Sequence, residues 1–167
     1  EACPRGVLVD ETEVASVMVN EEDHLRIQVM ASGLQPSETF EIASTLEQDL
    51  AGALDFAASP QWGYLTACAT NTGTGLRAST LIHLPGLALT KEMDGVVRGV
   101  AQLGFAVRGI YGEGTDSAGN LYQISNQLTL GRSEQTLLEG LNRVVGQVVE
   151  CEMNARETLM REARGQI

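Results

Sequence analysis

Three clusters of polar side chains contain the residue types that could do chemistry. The first, Asn20–His24, holds three consecutive carboxylates, and Arg26 follows in a run that alternates apolar and polar residues. If a strand begins within the cluster, Glu22, His24 and Arg26 share one face, with Glu22 and Arg26 about 13 Å apart. Carboxylates suit a cationic group or a metal ion, and arginine suits phosphate. A solvated acidic turn is the alternative interpretation.

The other two clusters lie in glycine-rich stretches. Residues 63–79 combine glycines with Thr and Asn side chains, the thiol of Cys68 and the guanidinium of Arg77, which can bind phosphate through two hydrogen bonds. The third cluster begins at Arg108 and continues into a loop that contains Glu113. Such loops can close over active sites. The alternatives are turns between strands and, for the thiol, a buried apolar cysteine.

Short strands and helices must position these clusters. Strands are predicted where β-branched runs or period-two alternation occur, and helices where apolar residues recur every three or four positions. The predicted strands are 14–20, 25–30, 64–67, 76–84, 105–110 and 121–125, and the predicted helices are 37–57, 87–103 and 133–164. Because strand pairs are adjacent in sequence, an α+β fold with a largely antiparallel sheet is favoured over a wound parallel sheet.

Composition narrows the class of protein. The 167 residues include 22 acidic and 11 basic side chains, for a formal charge of −11, which argues against a nucleic-acid binder. No apolar run reaches the ~18 residues of a membrane span. The three cysteines are far apart and lack metal-ligand spacing, so we expect a reduced protein of the cytoplasm. The chain begins without Met and ends within a predicted helix, so we also expect a piece of a longer protein.

Together the clusters resemble the guanidino (phosphagen) kinase family. Five segments carry the resemblance, in order and with compatible spacing, over nearly all of residues 13–160. They are Asn20-Glu21-Glu22-Asp23-His24-Leu25-Arg26-Ile27, residues 63–79, residues 108–119, Gln123-Ile124-Ser125-Asn126 and Leu130-Gly131-Arg132-Ser133-Glu134. Tyr111, Gly114 and the run His83-Leu84-Pro85 are typical of the bacterial branch of this family, the protein-arginine kinases.

The resemblance implies a fold, a domain and a reaction. The fold is the glutamine-synthetase/guanidino-kinase catalytic type, an antiparallel sheet flanked by helices. Residues 1–167 then form the C-terminal phosphotransferase catalytic domain, a fragment of a longer kinase. The implied reaction transfers the γ-phosphoryl group of ATP, with Mg²⁺, to the guanidinium group of arginine residues in proteins. The implied partners are arginine-containing protein substrates, an activator protein and a second copy of the chain, with no direct contact to nucleic acid or membrane.

By this resemblance, three residues bind the acceptor guanidinium. Glu22 corresponds to the carboxylate that holds and deprotonates it, Glu113 to a second carboxylate, and Cys68 to a cysteine that contacts it. The chemistry is consistent with these roles, since a guanidinium with a pKa above ~12 is a poor nucleophile until it loses a proton.

Four further residues correspond to groups that bind the nucleotide. Arg26, Arg77 and Arg108 match arginines that bind the ATP phosphates, and Asp23 matches an acid that orders Mg²⁺ through water. In phosphoryl transfer the protein mainly supplies positioning and charge stabilisation, which these side chains can provide.

Two departures from the family pattern leave other functions open. The family usually has Pro after the cysteine, where this chain has Ala69, and the family's N-terminal half, with further phosphate-binding arginines, is outside this chain. The first alternative is a kinase that acts on a small free guanidine such as arginine or creatine. The second is a non-catalytic module that binds nucleotide or phosphoarginine.

Overall fold

The structure is a computed structural model that describes residues 4–110 and 117–164. Within these ranges the chain forms two compact units. Unit 1 comprises residues 4–76 and 129–134, and unit 2 comprises residues 77–110, 117–128 and 135–164. Each unit contains antiparallel strands and helical segments, so the expected α+β class is confirmed.

Unit 1 is built on a three-stranded antiparallel meander. Its strands are β1 (Gly6–Val9), β2 (Ala15–Val19) and β3 (Leu25–Val29). β2 lies between the other two strands and pairs with them along its length. The sequence predicted β2 and β3 correctly. It did not predict β1, because a four-residue strand with every residue exposed has no period-two pattern of burial.

A helix and a small hairpin complete unit 1. α1 (Pro36–Ala51) contacts β3 and begins with proline, whose missing N–H is not needed in the first turn. The apolar period predicted a helix as far as residue 57, but α1 ends at Ala51 and is followed by Gly52, a residue with low helix propensity. The hairpin strands are β4 (Ala58–Ser59) and β5 (Gly63–Tyr64). Only Tyr64 of the predicted third strand is therefore in a strand.

Unit 2 contains a second antiparallel sheet and most of the buried core. Its elements are β6 (Ser79–His83), α2 (Pro85–Leu89), α3 (Met93–Gln102), β7 (Phe105–Gly109), β8 (Leu121–Asn126) and α4 (Glu134–Arg164). β8 is the central strand, between β6 and β7. The Phe105 ring packs against α4 at Gly140, where a Cβ would lie 3.0 Å from it. Glycine at that position therefore admits the ring.

Two of the predicted helices have different outcomes. The helix predicted over 87–103 is divided into α2 and α3, because Lys91 between them adopts a φ of +60°. A left-handed residue cannot continue a right-handed helix. α4 agrees with its apolar period, which places Leu141 and Val145 in the core. Among the described residues, neither α4 nor any other helix is long and apolar enough to cross a membrane.

A buried carboxylate joins α4 to the first turn of α2. Glu152 is 4% exposed, and its oxygens accept the N–H groups of Gly86 at 2.8 Å and Leu87 at 2.9 Å. Arg156 donates its Nε–H to the same carboxylate at 2.6 Å. Burial raises the pKa of Glu152, but the hydrogen bonds from Leu87, Arg156 and Gly86 outweigh burial and hold the pKa below its usual value. The charged form is therefore the one that the fold stabilises.

We expect Glu152→Gln to lower the free energy of unfolding by about 1.5–3 kcal/mol at pH 7, the usual contribution of hydrogen bonds to a charged group. Because the folded pKa is depressed, this contribution is fully present above the unfolded pKa of about 4.3 and is lost as the pH falls through the folded value. Urea unfolding of both proteins at pH 7 and pH 3.5 measures the difference.

The matched control for this prediction is Glu157→Gln. Glu157 lies on the same helix and pairs with Arg161 at 3.3 Å, but its side chain is 63% exposed, so its loss should change stability little. A Glu152→Gln destabilisation that is equal at both pH values would contradict the prediction.

Candidate active site

The three carboxylates lie in the turn between β2 and β3. Asn20 adopts a φ of +55°, a conformation that Asn tolerates, and its N–H donates to the carbonyl oxygen of His24 at 2.9 Å. The loop closed by this bond contains residues 21–24, and β3 begins after it. The prediction that Glu22, His24 and Arg26 share a strand face is therefore wrong, because period-two alternation holds only within an extended strand.

Two carboxylates of this acidic turn differ in how they are paired. Glu21 lies 3.7 Å from the guanidinium of Arg26, but the two side chains are 41% and 51% exposed, so the ion pair is weak. Glu22 is exposed, and within residues 4–110 and 117–164 no group pairs with it. Its two oxygens are therefore available to a cationic ligand.

Asp23 connects the acidic turn to the second predicted cluster. One of its carboxylate oxygens, Oδ1, accepts the N–H of Ala67 at 2.6 Å. The other, Oδ2, accepts an Nδ2–H of Asn71 at 2.9 Å. Asp23 is half-buried, whereas Glu22 is exposed. Asp23 thus joins the acidic turn to the loop that contains Cys68.

Cys68 lies in the loop that Asp23 holds. Its thiol is half-buried and lies 2.9 Å from the hydroxyl oxygen of Thr70. Its carbonyl oxygen accepts the Thr66 hydroxyl at 2.6 Å and the Asn71 N–H at 3.0 Å. The alternative of a fully buried apolar cysteine is therefore wrong. A partly accessible thiol in a hydrogen-bonded loop can contact a ligand.

A threonine distant in sequence holds the other side of the Cys68 loop. The Thr129 hydroxyl lies 2.9 Å from the carbonyl oxygen of Thr70 and 2.7 Å from that of Thr72. Gly73 has a φ of +113°, and a Cβ there would lie 2.3 Å from the Thr129 carbonyl oxygen. Sequence reasoning did not find Thr129, because no local pattern links it to a loop 57–59 residues away.

Two of the three predicted arginines lie on one exposed face of the unit 2 sheet. Arg108 on β7 is opposite Gln123 on β8, and Ser125, two residues further along β8, has the same facing. Arg77, just before β6, directs Nη2 to the Ser125 hydroxyl at 3.4 Å. Both arginines are exposed. Glu113 lies outside the described residues, so its role as a second carboxylate stays a prediction.

The described residues fit a magnesium ion that arrives with its nucleotide. Within residues 4–110 and 117–164, no group of three metal-ligating side chains is arranged to hold a metal ion. Asp23 already accepts a protein hydrogen bond at each oxygen. Mg²⁺ usually keeps several waters and is bound through one or two carboxylates and substrate phosphates. The role of Asp23 in ordering such waters stays a prediction, and the exposed Glu21 lies in the same turn.

Carboxylates can bind a cationic group, and arginines can bind phosphate. The chain belongs to the ATP:guanido phosphotransferase family, since the model of that family's C-terminal catalytic domain matches residues 2–155. The family indicated by the sequence motifs is thereby confirmed.

Relatives within this family are similar over almost the whole chain. A protein-arginine kinase of Halothermothrix orenii is 51% identical over 158 residues, which cover 95% of this chain and 45% of that protein. The protein-arginine kinase of Bacillus subtilis is 48% identical over 159 residues, covering 95% of this chain and 44% of that protein. The chain thus spans less than half the length of these relatives.

Solved structures of the family share the fold. A duplicated taurocyamine kinase from Schistosoma mansoni, with bound transition-state analogue components, matches with a TM-score of 0.79 and 32% identity, covering 90% of this chain and 21% of that one. A lombricine kinase matches with a TM-score of 0.79 and 29% identity, covering 92% of this chain and 43% of that one. The expected guanidino-kinase type of fold is confirmed.

Proposed function

We propose that this chain is the C-terminal catalytic part of a kinase that transfers the γ-phosphoryl group of ATP to arginine side chains of proteins. One observation carries the proposal: identity to protein-arginine kinases is near 50% over about 95% of the chain. Identity to the kinases of small guanidines is about 30% over a similar span. The chain is therefore more similar to the branch whose named acceptor is arginine in a protein.

For the acceptor, we propose that Glu22 and Cys68 bind the guanidinium, with Glu113 as the second carboxylate. The exposed, unpaired state of Glu22 supports this role, because a general base must meet the substrate directly. The half-buried Cys68 thiol beside Thr70 supports a contact that orients the acceptor.

For the nucleotide, we propose that Arg26, Arg77 and Arg108 bind the ATP phosphates. The shared exposed face of Arg77 and Arg108 supports this assignment. The ion pair of Arg26 with Glu21 is weak enough to be exchanged for a phosphate contact. Bound Mg²⁺ would neutralise charge on the transferred group, and the exposed Glu21 would help to hold its waters.

The reaction exchanges one bond for another. A guanidinium nitrogen of the acceptor forms a bond to the γ-phosphorus while the bond from that phosphorus to the β–γ bridging oxygen breaks, and ADP leaves with the electron pair. The proton released from the nitrogen passes to the Glu22 carboxylate. The arginines stabilise the charge on the phosphoryl oxygens during transfer.

We further propose a reduced, cytoplasmic setting and two partners. Cys68 and Cys151 are free thiols, which suits a compartment that keeps cysteines reduced. The activator protein and the homodimer rest on the family resemblance. Native mass spectrometry of the full-length protein would show a dimer as a doubled mass.

The proposal predicts acid-labile phosphate on protein arginine. The full-length protein would be incubated with Mg-ATP and either an arginine-rich protein or free arginine, and the products analysed by mass spectrometry under non-acidic conditions. Phosphate on the protein acceptor is the expected result. Phosphate on free arginine alone would support the small-guanidine kinase, a candidate favoured by the taurocyamine and lombricine kinase folds. Transfer to neither acceptor would support a non-catalytic module.

A further inference from the structure

Asp23 lies between the two groups that the proposed function assigns to the acceptor. In sequence it follows Glu22 directly, and its Oδ1 accepts the N–H of Ala67, the residue directly before Cys68, at 2.6 Å. Its Oδ2 accepts an Nδ2–H of Asn71, three residues after Cys68, at 2.9 Å. One side chain therefore ties the backbone beside the carboxylate to both sides of the thiol.

We propose that Asp23 is a positioning residue that sets the separation of Glu22 and Cys68. This inference rests on the proposed function. Both oxygens of Asp23 are directed to the Cys68 loop, and the side chain is half-buried.

The rest of the loop explains why such a tie matters. The Thr66 hydroxyl donates to the Cys68 carbonyl oxygen, and the Thr129 hydroxyl lies near the carbonyl oxygens of Thr70 and Thr72. None of these hydrogen bonds involves the acidic turn. Asp23 supplies two hydrogen bonds between that turn and the loop. Misplacement of a reacting group by about 1 Å can cost about 10²-fold in rate, so loss of this tie should affect the acceptor more than the nucleotide.

Two substitutions separate positioning from a role that needs negative charge. Asp23→Ala removes both hydrogen bonds and the charge. Asp23→Asn removes the charge but can keep both bonds, because its Oδ1 still accepts the Ala67 N–H and its Nδ2–H can donate to Asn71 once that amide turns over. Rotation of the Asn71 amide would break no other hydrogen bond, because among the described residues its Oδ1 accepts none.

The experiment uses the full-length protein and two independent readouts. The first is the rate at which iodoacetamide alkylates Cys68, resolved by peptide mass spectrometry. We expect Asp23→Ala to raise this rate at least about threefold, since the loop is released, and Asp23→Asn to keep it close to that of the unsubstituted protein. This readout does not require kinase activity, so it tests the tie even if the proposed function fails.

The second readout is steady-state phosphoryl transfer. We expect Asp23→Ala to lower kcat/KM for the protein acceptor by about 10–100-fold, with KM for ATP within about twofold, and Asp23→Asn to restore most of the loss. Equal damage from the two variants with a raised Mg²⁺ requirement would overturn the proposal in favour of magnesium ordering. Unchanged alkylation of Cys68 in Asp23→Ala would also overturn it.

A further variant keeps the test valid if Asp23→Ala does not fold. Asn71→Ala removes one of the two hydrogen bonds from the loop side and leaves the carboxylate in place. We expect it to raise the Cys68 alkylation rate and the KM for the acceptor in the same direction as Asp23→Ala, but less. No change in either quantity would contradict the proposal.

Discussion

Replacing Glu22 with glutamine should lower kcat for phosphoryl transfer to protein arginine by about 10²–10⁴-fold, the usual contribution of a general base. Glutamine has nearly the same size and can still hydrogen-bond the guanidinium, but it cannot take the proton from the attacking nitrogen. Glu22 is exposed, and no described residue pairs with it, so the fold should be unaffected. Initial rates at saturating Mg-ATP and urea unfolding measure the two quantities.

The matched control for this substitution is Glu11→Gln. Glu11 is also an exposed acid in a turn of unit 1, between β1 and β2, and it should keep the full rate. A kcat for Glu22→Gln within threefold of the unsubstituted protein would show that Glu22 is not the base. The second alternative, a non-catalytic nucleotide-binding module, predicts that ATP binding survives the substitution and that neither protein transfers phosphate.

Replacing Arg108 with alanine should weaken ATP binding by about 10–150-fold. This estimate is the loss of about 1.5–3 kcal/mol expected for hydrogen bonds to a charged group, converted at 1.4 kcal/mol per factor of ten. We expect a similar loss for Arg77→Ala, since Arg77 is exposed and its guanidinium can bind phosphate through two hydrogen bonds. Isothermal titration with Mg-ATP measures both dissociation constants.

The two arginines also predict a coupling. Because Arg77 and Arg108 share one face of the sheet, a common phosphate group would make the double substitution less damaging than the product of the single ones. Arg98→Ala is the control, since Arg98 is an exposed arginine on α3 of the same unit. If Arg98→Ala weakened ATP binding as much as Arg108→Ala, nonspecific charge rather than the sheet face would explain the effect.

Local pattern predicted those elements whose residues carry a period of their own. α4 shows an apolar residue every three or four positions over 31 residues, and β2 and β3 alternate or are rich in valine. The apolar period failed as a predictor where a single residue between two helical segments interrupts the helix. The run of apolar residues over 87–103 did not show that Lys91 would adopt a positive φ and divide the helix.

The types of the candidate residues, and the family to which they point, were determined by the sequence alone. Acids, thiols and arginines have definite chemistry wherever they lie, and the family resemblance assigns roles to Glu22, Cys68, Arg77 and Arg108. The order of their motifs was enough to identify the family, as the match of the family model over residues 2–155 shows. Residue types and motif order are properties of the sequence, so they can be known without the folded structure.

Only the tertiary structure decided which of these residues are held, and by what. Asp23 meets Ala67 across 44 positions and Glu152 meets Gly86 across 66. Such hydrogen bonds join groups that chain folding brings together, and the local sequence around one partner does not identify the other. The acidic turn likewise became a loop rather than a strand because Asn20 and His24 close it. Residue chemistry is thus carried by the sequence, while the pairing of distant backbone and side-chain groups exists only once the chain has folded.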